Sequence, residues 1–319
     1  MSDALNHFPL KHAYDAAALA KVLIRGDIYY GRSVGLGARL KCIDYYFRAD
    51  GCDRLFAALF RSGSLWSELG VRLAIDLARG GDGEYTYKGG LYFPRDGLAY
   101  RRLDWRVPLG LDDEAFQDQR GDDGPAFGPL LYHHSRHPYF RIRSARLKKM
   151  KIVVLTRSIL DVMESRYVKF RKQSLRAGTP ITDENMFDWD NALTRAIEFY
   201  NSWGEVLTWH PSILHVRYED LKADEVGGHR EVLKFWGFDD VPDDCIAEGF
   251  RRASKKEMAK RMPQTDSDTD FRAAKRSESD RGSLSDDRKQ RIIGRLQREL
   301  RYDMGYTYDM NTSYGKLYD

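Results

Sequence analysis

Lys151 to Thr156 (KIVVLT) is followed at once by Arg157 and then by a helical stripe, Ile159, Met163, Tyr167 and Phe170. An apolar run this short and unbroken is a strand covered on both faces, the kind found in parallel sheets. The unit occurs twice more. Asp53 to Phe60 (DRLFAALF) reads as a buried strand, followed by the turn Arg61-Ser62-Gly63-Ser64. Leu65, Leu69, Leu73 and Leu77 then recur every four residues as a helix, with Gly80-Gly81 as its stop. Ser212 to Val216 (SILHV) is a third strand, leading into Tyr218-Glu219-Asp220 and a helix that ends near Trp236-Gly237. Strands alternating with helices require a central parallel β-sheet flanked by helices. The fold class expected is therefore α/β.

Other segments fill in around these units. An amphipathic stretch from about Asp183 to Trp209 puts Leu193, Ile197, Tyr200, Gly204 and Leu207 on one face. A last helix from about Asp286 to Tyr302 has Ser283 or Ser285 as N-cap and Ile292, Ile293, Leu296 and Leu300 inside. Two stretches stand outside the alternation. Tyr85 to Tyr100 is rich in Gly and aromatics and reads as turns, short strands or a lid. Asp104 to Pro129 is acidic, with Gly121-Asp122-Asp123-Gly124-Pro125 as a surface excursion. Met262 to Gly282 is polar and reads as a loop. There are no repeats and no clean domain boundary. The 319 residues read as one domain: an N-terminal extension over 1–50, a core over 53–306, insertions over 85–130 and a covering loop over 262–282.

Charge narrows the function classes. The chain has 52 basic and 48 acidic residues, a net charge of +4. That is too small a surplus for a protein whose bulk task is binding nucleic acid, and no nucleic-acid partner is expected. Cys42, Cys52 and Cys245 have no metal-type spacing and read as reduced thiols of a cytoplasmic protein. Near the N-terminus the apolar run from Ala16 to Ile24 is broken by Lys21. It falls short of the roughly 20 residues of a membrane span and lacks a leader's pattern.

Chemistry concentrates after two of the strands. Ser62, Gly63 and Ser64 form a short turn at a helix N-terminus, where backbone N–H groups and the helix dipole favour an anion. Arg61 adds charge there. The GxxxxGK[ST] pattern of nucleoside triphosphatases is absent, so the turn fits a phosphate-like group without ATP hydrolysis. Arg157 follows the second buried strand, where open α/β sheets place their ligands, and Ser165 lies two turns along the next helix. Between Arg141 and Arg176 there are 12 Lys and Arg against Asp161 and Glu164. That run is either a solvated face or a basic shell around a polyanion.

These motifs resemble the sulfotransferases that use 3′-phosphoadenosine 5′-phosphosulfate (PAPS). Phe60 to Trp66 resembles the family's 5′-phosphosulfate loop, and Arg157, Asp161 and Ser165 its R-x-x-x-D-x-x-x-S 3′-phosphate motif. Val216 to Leu221 is similar to its YEDL segment, and Leu233-Lys234-Phe235-Trp236-Gly237 to the helix end that follows. The motifs run in the family's order across residues 53 to 306. The resemblance implies a single-domain P-loop-like sulfotransferase fold related to nucleotide kinases. PAPS would be the donor and 3′,5′-adenosine diphosphate (PAP) the product, with no metal required. It implies that Arg61 neutralises charge on the leaving oxygen. Backbone N–H groups of Ser62 to Leu65, with the Ser64 hydroxyl, hold the 5′-phosphate. Arg157 and Ser165 grip the 3′-phosphate. Trp66 and Tyr218 lie near the adenine, with a plain core role for Trp66 as the alternative. Arg281-Gly282 stands for the family's R-K-G, although the Lys is missing. That leaves Arg272, Lys275, Arg276 and Arg281 as rivals for the 3′-phosphate.

A base for the acceptor hydroxyl is also needed. His133, His134 and His137, three of the eight His residues, fall in Leu131 to Pro138, before the 3′-phosphate strand, where the family often keeps its base. His has the right pKa for this work. His134 and His133 rank above His137, which precedes Pro138, with Glu84 or Asp96 as carboxylate alternatives. No Cys or carboxylate has the spacing to complete a metal site with these His. Tyr85, Tyr87, Tyr92, Phe93, Tyr100 and Trp105 fall where the family contacts its acceptor, or are packing. The acceptor expected is a small molecule or saccharide, sulfated on a hydroxyl rather than an amine; a homodimer is compatible with this reading. Two other readings stay open: a P-loop-like kinase, and a sulfotransferase-like protein that binds nucleotide or RNA without turnover.

Overall fold

A computed structural model describes residues 27–29, 32–33, 54–88, 91–94, 100–103, 130–133, 150–176, 178, 187–260 and 284–311. A two-stranded antiparallel ribbon pairs β1 (Asp27–Tyr29) with β2 (Arg32–Ser33). The main sheet is built from β3 (Arg54–Ala58), β6 (Tyr100–Leu103), β7 (Leu130–His133), β8 (Lys151–Thr156) and β9 (Ile213–Arg217). All its pairings are parallel and the spatial order is β6-β7-β3-β8-β9. A second antiparallel ribbon, β4 (Tyr85–Lys88) with β5 (Leu91–Pro94), lies in the aromatic stretch.

The helices are α1 (Ser64–Ala78), α2 (Ile159–Arg176), α3 (Trp189–Leu207) and α4 (Tyr218–Ala223). They continue as α5 (Glu225–Trp236), α6 (Asp243–Arg252), α7 (Lys255–Lys260) and α8 (Asp286–Glu299). They cover the sheet on both sides, as the unbroken apolar strands require. Alternate residues of β3 and β8 point to opposite faces. Leu55, Ala57, Ile152 and Val154 join a core with α2, α3 and α8. Phe56, Ala58, Val153 and Leu155 join another with α1, α5 and α6. On this second face α1 and α6 pack backbone to backbone. A Cβ on Gly249 would lie 2.6 Å from the Ala74 amide nitrogen, so only glycine fits.

The three strand-helix units lie where the sequence places them. The helix expected from about Asp183 starts at Trp189, because the Asp188 side chain accepts the Asn191 N–H at 3.0 Å and caps it there. Ser285 is the N-cap of α8, accepting the Arg288 N–H. Several elements were not expected, among them β6, β7 and α6: the reading of turns, short strands or a lid stopped at Tyr100, yet Tyr100–Leu103 pairs with β7 at the edge of the main sheet. Among the described residues, no helix is long and apolar enough to cross a membrane. The acidic excursion over 104–129 and the loop over 262–282 lie outside the described residues.

The strand order fixes where a ligand would sit. The chain leaves β3 toward β6 and β7, but leaves β8 toward β9. The connections diverge between neighbouring strands β3 and β8, so a crevice opens at their carboxyl ends.

Candidate active site

The turn after β3 folds back on itself. Leu59 N–H extends the ladder to Leu155 O at 3.3 Å, and Ser62 N–H and Oγ both return to Leu59 O, at 3.2 and 2.5 Å. Arg61 adopts a left-handed conformation, φ +65°, which costs a non-glycine residue on the order of 1 kcal/mol. Gly63 is the N-cap of α1, φ +82°, and no side chain caps the helix. No acidic residue lies in the first turn either. Positive dipole and first-turn N–H groups therefore point into the crevice beside Arg61. Gly63 is required twice over. Its φ suits glycine, and a Cβ would lie 2.4 Å from Tyr218 Cε2.

The segment after β8 meets this turn. Arg61 Nε donates to Ser165 Oγ at 2.9 Å, and Arg157 Nη1 donates to the Arg61 carbonyl at 3.2 Å. The Arg157 guanidinium lies over the Tyr218 ring, 4.7 Å from its centre. Its Nε–H is buried and meets no acceptor. A buried donor in that state is costly unless an acceptor arrives. Ser165 and Asp161 are both buried on the face of α2 that looks into the site. Motifs about a hundred residues apart thus make direct contact.

Trp66 is only 9% exposed. Tyr218, His229 and Phe250 meet it edge-on, with ring centres 6.0, 5.0 and 5.2 Å away, and Lys222 Nζ lies 3.6 Å over its ring. Its packing holds Tyr218 against Gly63. Leu65 is half-buried and Ser64 buried in the first turn.

Beneath Arg157 lies a buried polar network that sequence reasoning missed. The Arg157 carbonyl accepts from Tyr200 Oη at 2.7 Å. Ser158 N–H donates to Glu219 Oε1 at 3.1 Å, and Ile159 N–H to Tyr308 Oη at 3.3 Å. Tyr306 Oη donates to Glu219 Oε2 at 2.6 Å. Burial, with Glu219 alongside, pushes the Tyr306 hydroxyl far above its ordinary value, so it remains a protonated donor. Thr156 Oγ1 lies 2.8 Å from His215 Nε2, and burial followed by Arg217 lowers that imidazole to about 4. Glu219 stands inside the YEDL segment, the one sequence signal that pointed here.

His133 ends β7 at the register position opposite Ala57, which puts its backbone at the carboxyl edge beside the Arg61 turn. His134, Asp96, Arg281 and Gly282 lie outside the described residues. Glu84, the other carboxylate alternative, follows the C-terminal end of α1 and faces Arg252 at 3.8 Å.

Comparison with known proteins gives the family and the fold. Residues 129–298 match the family model described as "Sulfotransferase domain". The chain belongs to the sulfotransferase-domain family. No curated protein matches it by sequence. Among solved structures it is similar to mouse sulfotransferase SULT7A1 complexed with PAP. Identity is 17%, coverage 78% of this chain and 86% of that one, and TM-score 0.50. It is also similar to retinol dehydratase in complex with androsterone and inactive cofactor PAP. There identity is 15%, coverage 83% of each chain, and TM-score 0.51. At these identities the likeness is one of fold: an α/β sulfotransferase fold with a parallel sheet.

Proposed function

We propose that the protein transfers a sulfuryl group from PAPS to a hydroxyl of a small-molecule or saccharide acceptor, releasing PAP. The observation that carries this reading is the meeting of Arg61, Gly63, Arg157, Ser165 and Tyr218 at the crevice between β3 and β8. There the buried Arg157 Nε–H faces no acceptor and α1 begins without a side-chain cap. Two separate anion-binding features at one switch point fit a nucleotide with phosphates at both ends.

PAPS, when bound, supplies the sulfuryl group and carries the leaving phosphate. The chain's residues do the rest. First-turn N–H groups of α1, with Ser64, hold the 5′-phosphate. Arg157 and Ser165 hold the 3′-phosphate by charge-assisted hydrogen bonds. Arg61 reaches Ser165 and lies beside the 5′ site, so it stabilises negative charge on the bridging oxygen as that bond breaks. Tyr218 packs near the base. Arg281-Gly282, or one of its rivals Arg272, Lys275 and Arg276, would complete the 3′-phosphate grip, and no metal is required. The acceptor oxygen bonds to sulfur, its proton goes to His134 or His133, and the S–O bonding pair stays with the phosphate oxygen of PAP. Catalysis is mostly positioning plus charge stabilisation.

The test is a thermal shift with PAP, AMP and ATP. A ligand that binds only the folded chain raises the melting temperature. PAP should stabilise the protein more than AMP or ATP, and Arg157→Ala should remove that advantage. No response to PAP refutes the reading.

A further inference from the structure

The turn carrying Arg157 spans residues 157–158, between the end of β8 and the start of α2. Its backbone is held from outside. The Arg157 carbonyl, the Ser158 N–H and the Ile159 N–H are bonded to Tyr200, Glu219 and Tyr308. These partners come from α3, from α4 and from the segment after α8. A helix normally finds its N-terminal acceptor in its own N-cap residue. At α2 the acceptor for Ser158 is a carboxylate 61 residues away, itself fixed by Tyr306 Oη at 2.6 Å.

Two helix N-termini therefore face the crevice, and they differ. That of α1 has no side-chain cap. That of α2 holds the Glu219 carboxylate, 5% exposed. An anion approaching α2 meets a position already filled by an acceptor. It must be taken by the Arg157 side chain and Ser165 instead, and Arg157 points from a backbone locked on three sides.

We propose that Glu219 and Tyr306 are positioning residues for the 3′-phosphate grip. The pair fixes the Arg157 turn and closes the α2 N-terminus to phosphate, so that the two ends of the nucleotide bind in one orientation only. Neither residue touches the nucleotide. The inference rests on the PAPS reading of this site.

The experiment compares PAP with AMP, which lacks the 3′-phosphate, by calorimetric titration of the full chain. Glu219→Gln and Tyr306→Phe keep side-chain size and remove the carboxylate or its hydroxyl donor. Each should weaken PAP roughly tenfold, the scale of one lost buried hydrogen bond. AMP affinity should change less than about twofold. Arg157→Ala should abolish the preference for PAP, and adding Glu219→Gln to it should weaken PAP no further, because Glu219 acts through Arg157. Equal weakening of PAP and AMP in the two conservative variants would show a merely structural role and overturn the inference. So would an unchanged PAP preference, or full additivity with Arg157→Ala. A wild-type chain that binds PAP no better than AMP overturns the nucleotide reading itself, and the inference with it.

Discussion

Acidification should unfold this protein partly through one buried histidine. His229 on α5 is 1% exposed. Its Nδ1 lies 2.7 Å from the Glu225 carbonyl, so Nδ1 carries the proton, and Nε2 accepts from Ser67 Oγ at 3.2 Å. A second proton on Nε2 would force the Ser67 bond to reverse and place a cation among Trp66, Phe250 and the Lys222 ammonium. Burial, with Lys222 adding to it, lowers this imidazole from 6.5 to about 3. The unfolded chain binds a proton below 6.5 and the folded chain does not, so stability is lost as pH falls from 6.5 toward 3. The slope is about 1.4 kcal/mol per pH unit, so by pH 5 the loss from His229 is roughly 2 kcal/mol. The assay is urea unfolding at about pH 7 and about pH 5 for the wild type and His229→Gln. Carboxylates and His215 titrate in both proteins and cancel in the comparison. The variant is less stable throughout, but its loss between the two pH values should be smaller by about 2 kcal/mol. Equal losses in the two proteins would refute the assignment of a neutral, buried His229.

Two further changes probe the site. Gly63→Ala puts a Cβ 2.4 Å from Tyr218 Cε2 at φ +82°, and backbone strain alone costs about 1 kcal/mol. Its melting temperature should fall and its stabilisation by PAP should vanish; retention of both would refute the required contact. His134→Ala, with His133→Ala beside it, should leave stabilisation by PAP intact and abolish sulfation of an acceptor that the wild type turns over. Full turnover in both variants would remove His from the base role.

The parts legible in the sequence were those whose signal is local. The apolar runs of β3 and β8 and the Ser62-Gly63-Ser64 turn at the start of α1 depend on a few adjacent residues, and all three stand where they were expected. The edge strand β6 (YRRL) was hidden, because a strand at a sheet edge needs no continuous apolar run and two of its four residues are charged. The acceptors beneath Arg157 were hidden for another reason. Tyr200, Glu219 and Tyr308 lie 43, 61 and 149 residues from the groups they hold, and nothing in a one-dimensional pattern pairs them. The tyrosines of the segment after α8 look like ordinary aromatics until the fold brings them under the turn.

That hidden network accounts for how a near-neutral chain keeps a cationic cradle ready. Two arginines, Arg61 and Arg157, share one crevice, and their repulsion favours a loose arrangement. The structure opposes it with fixed dipoles and rings. Arg157 is held by the Arg61 carbonyl and the Tyr218 face, and Arg61 by the Ser165 hydroxyl. These three partners are dipoles and a ring, and they fix the direction in which each guanidinium lies. The Glu219 carboxylate instead bonds the Ser158 N–H and the Tyr306 hydroxyl, on the backbone side of the turn. Donors aimed before the ligand arrives cost little reorganisation when it binds. For the doubly phosphorylated nucleotide proposed above, what matters is therefore where the donors at the crevice are aimed, and the sum of charges along the chain says little about it.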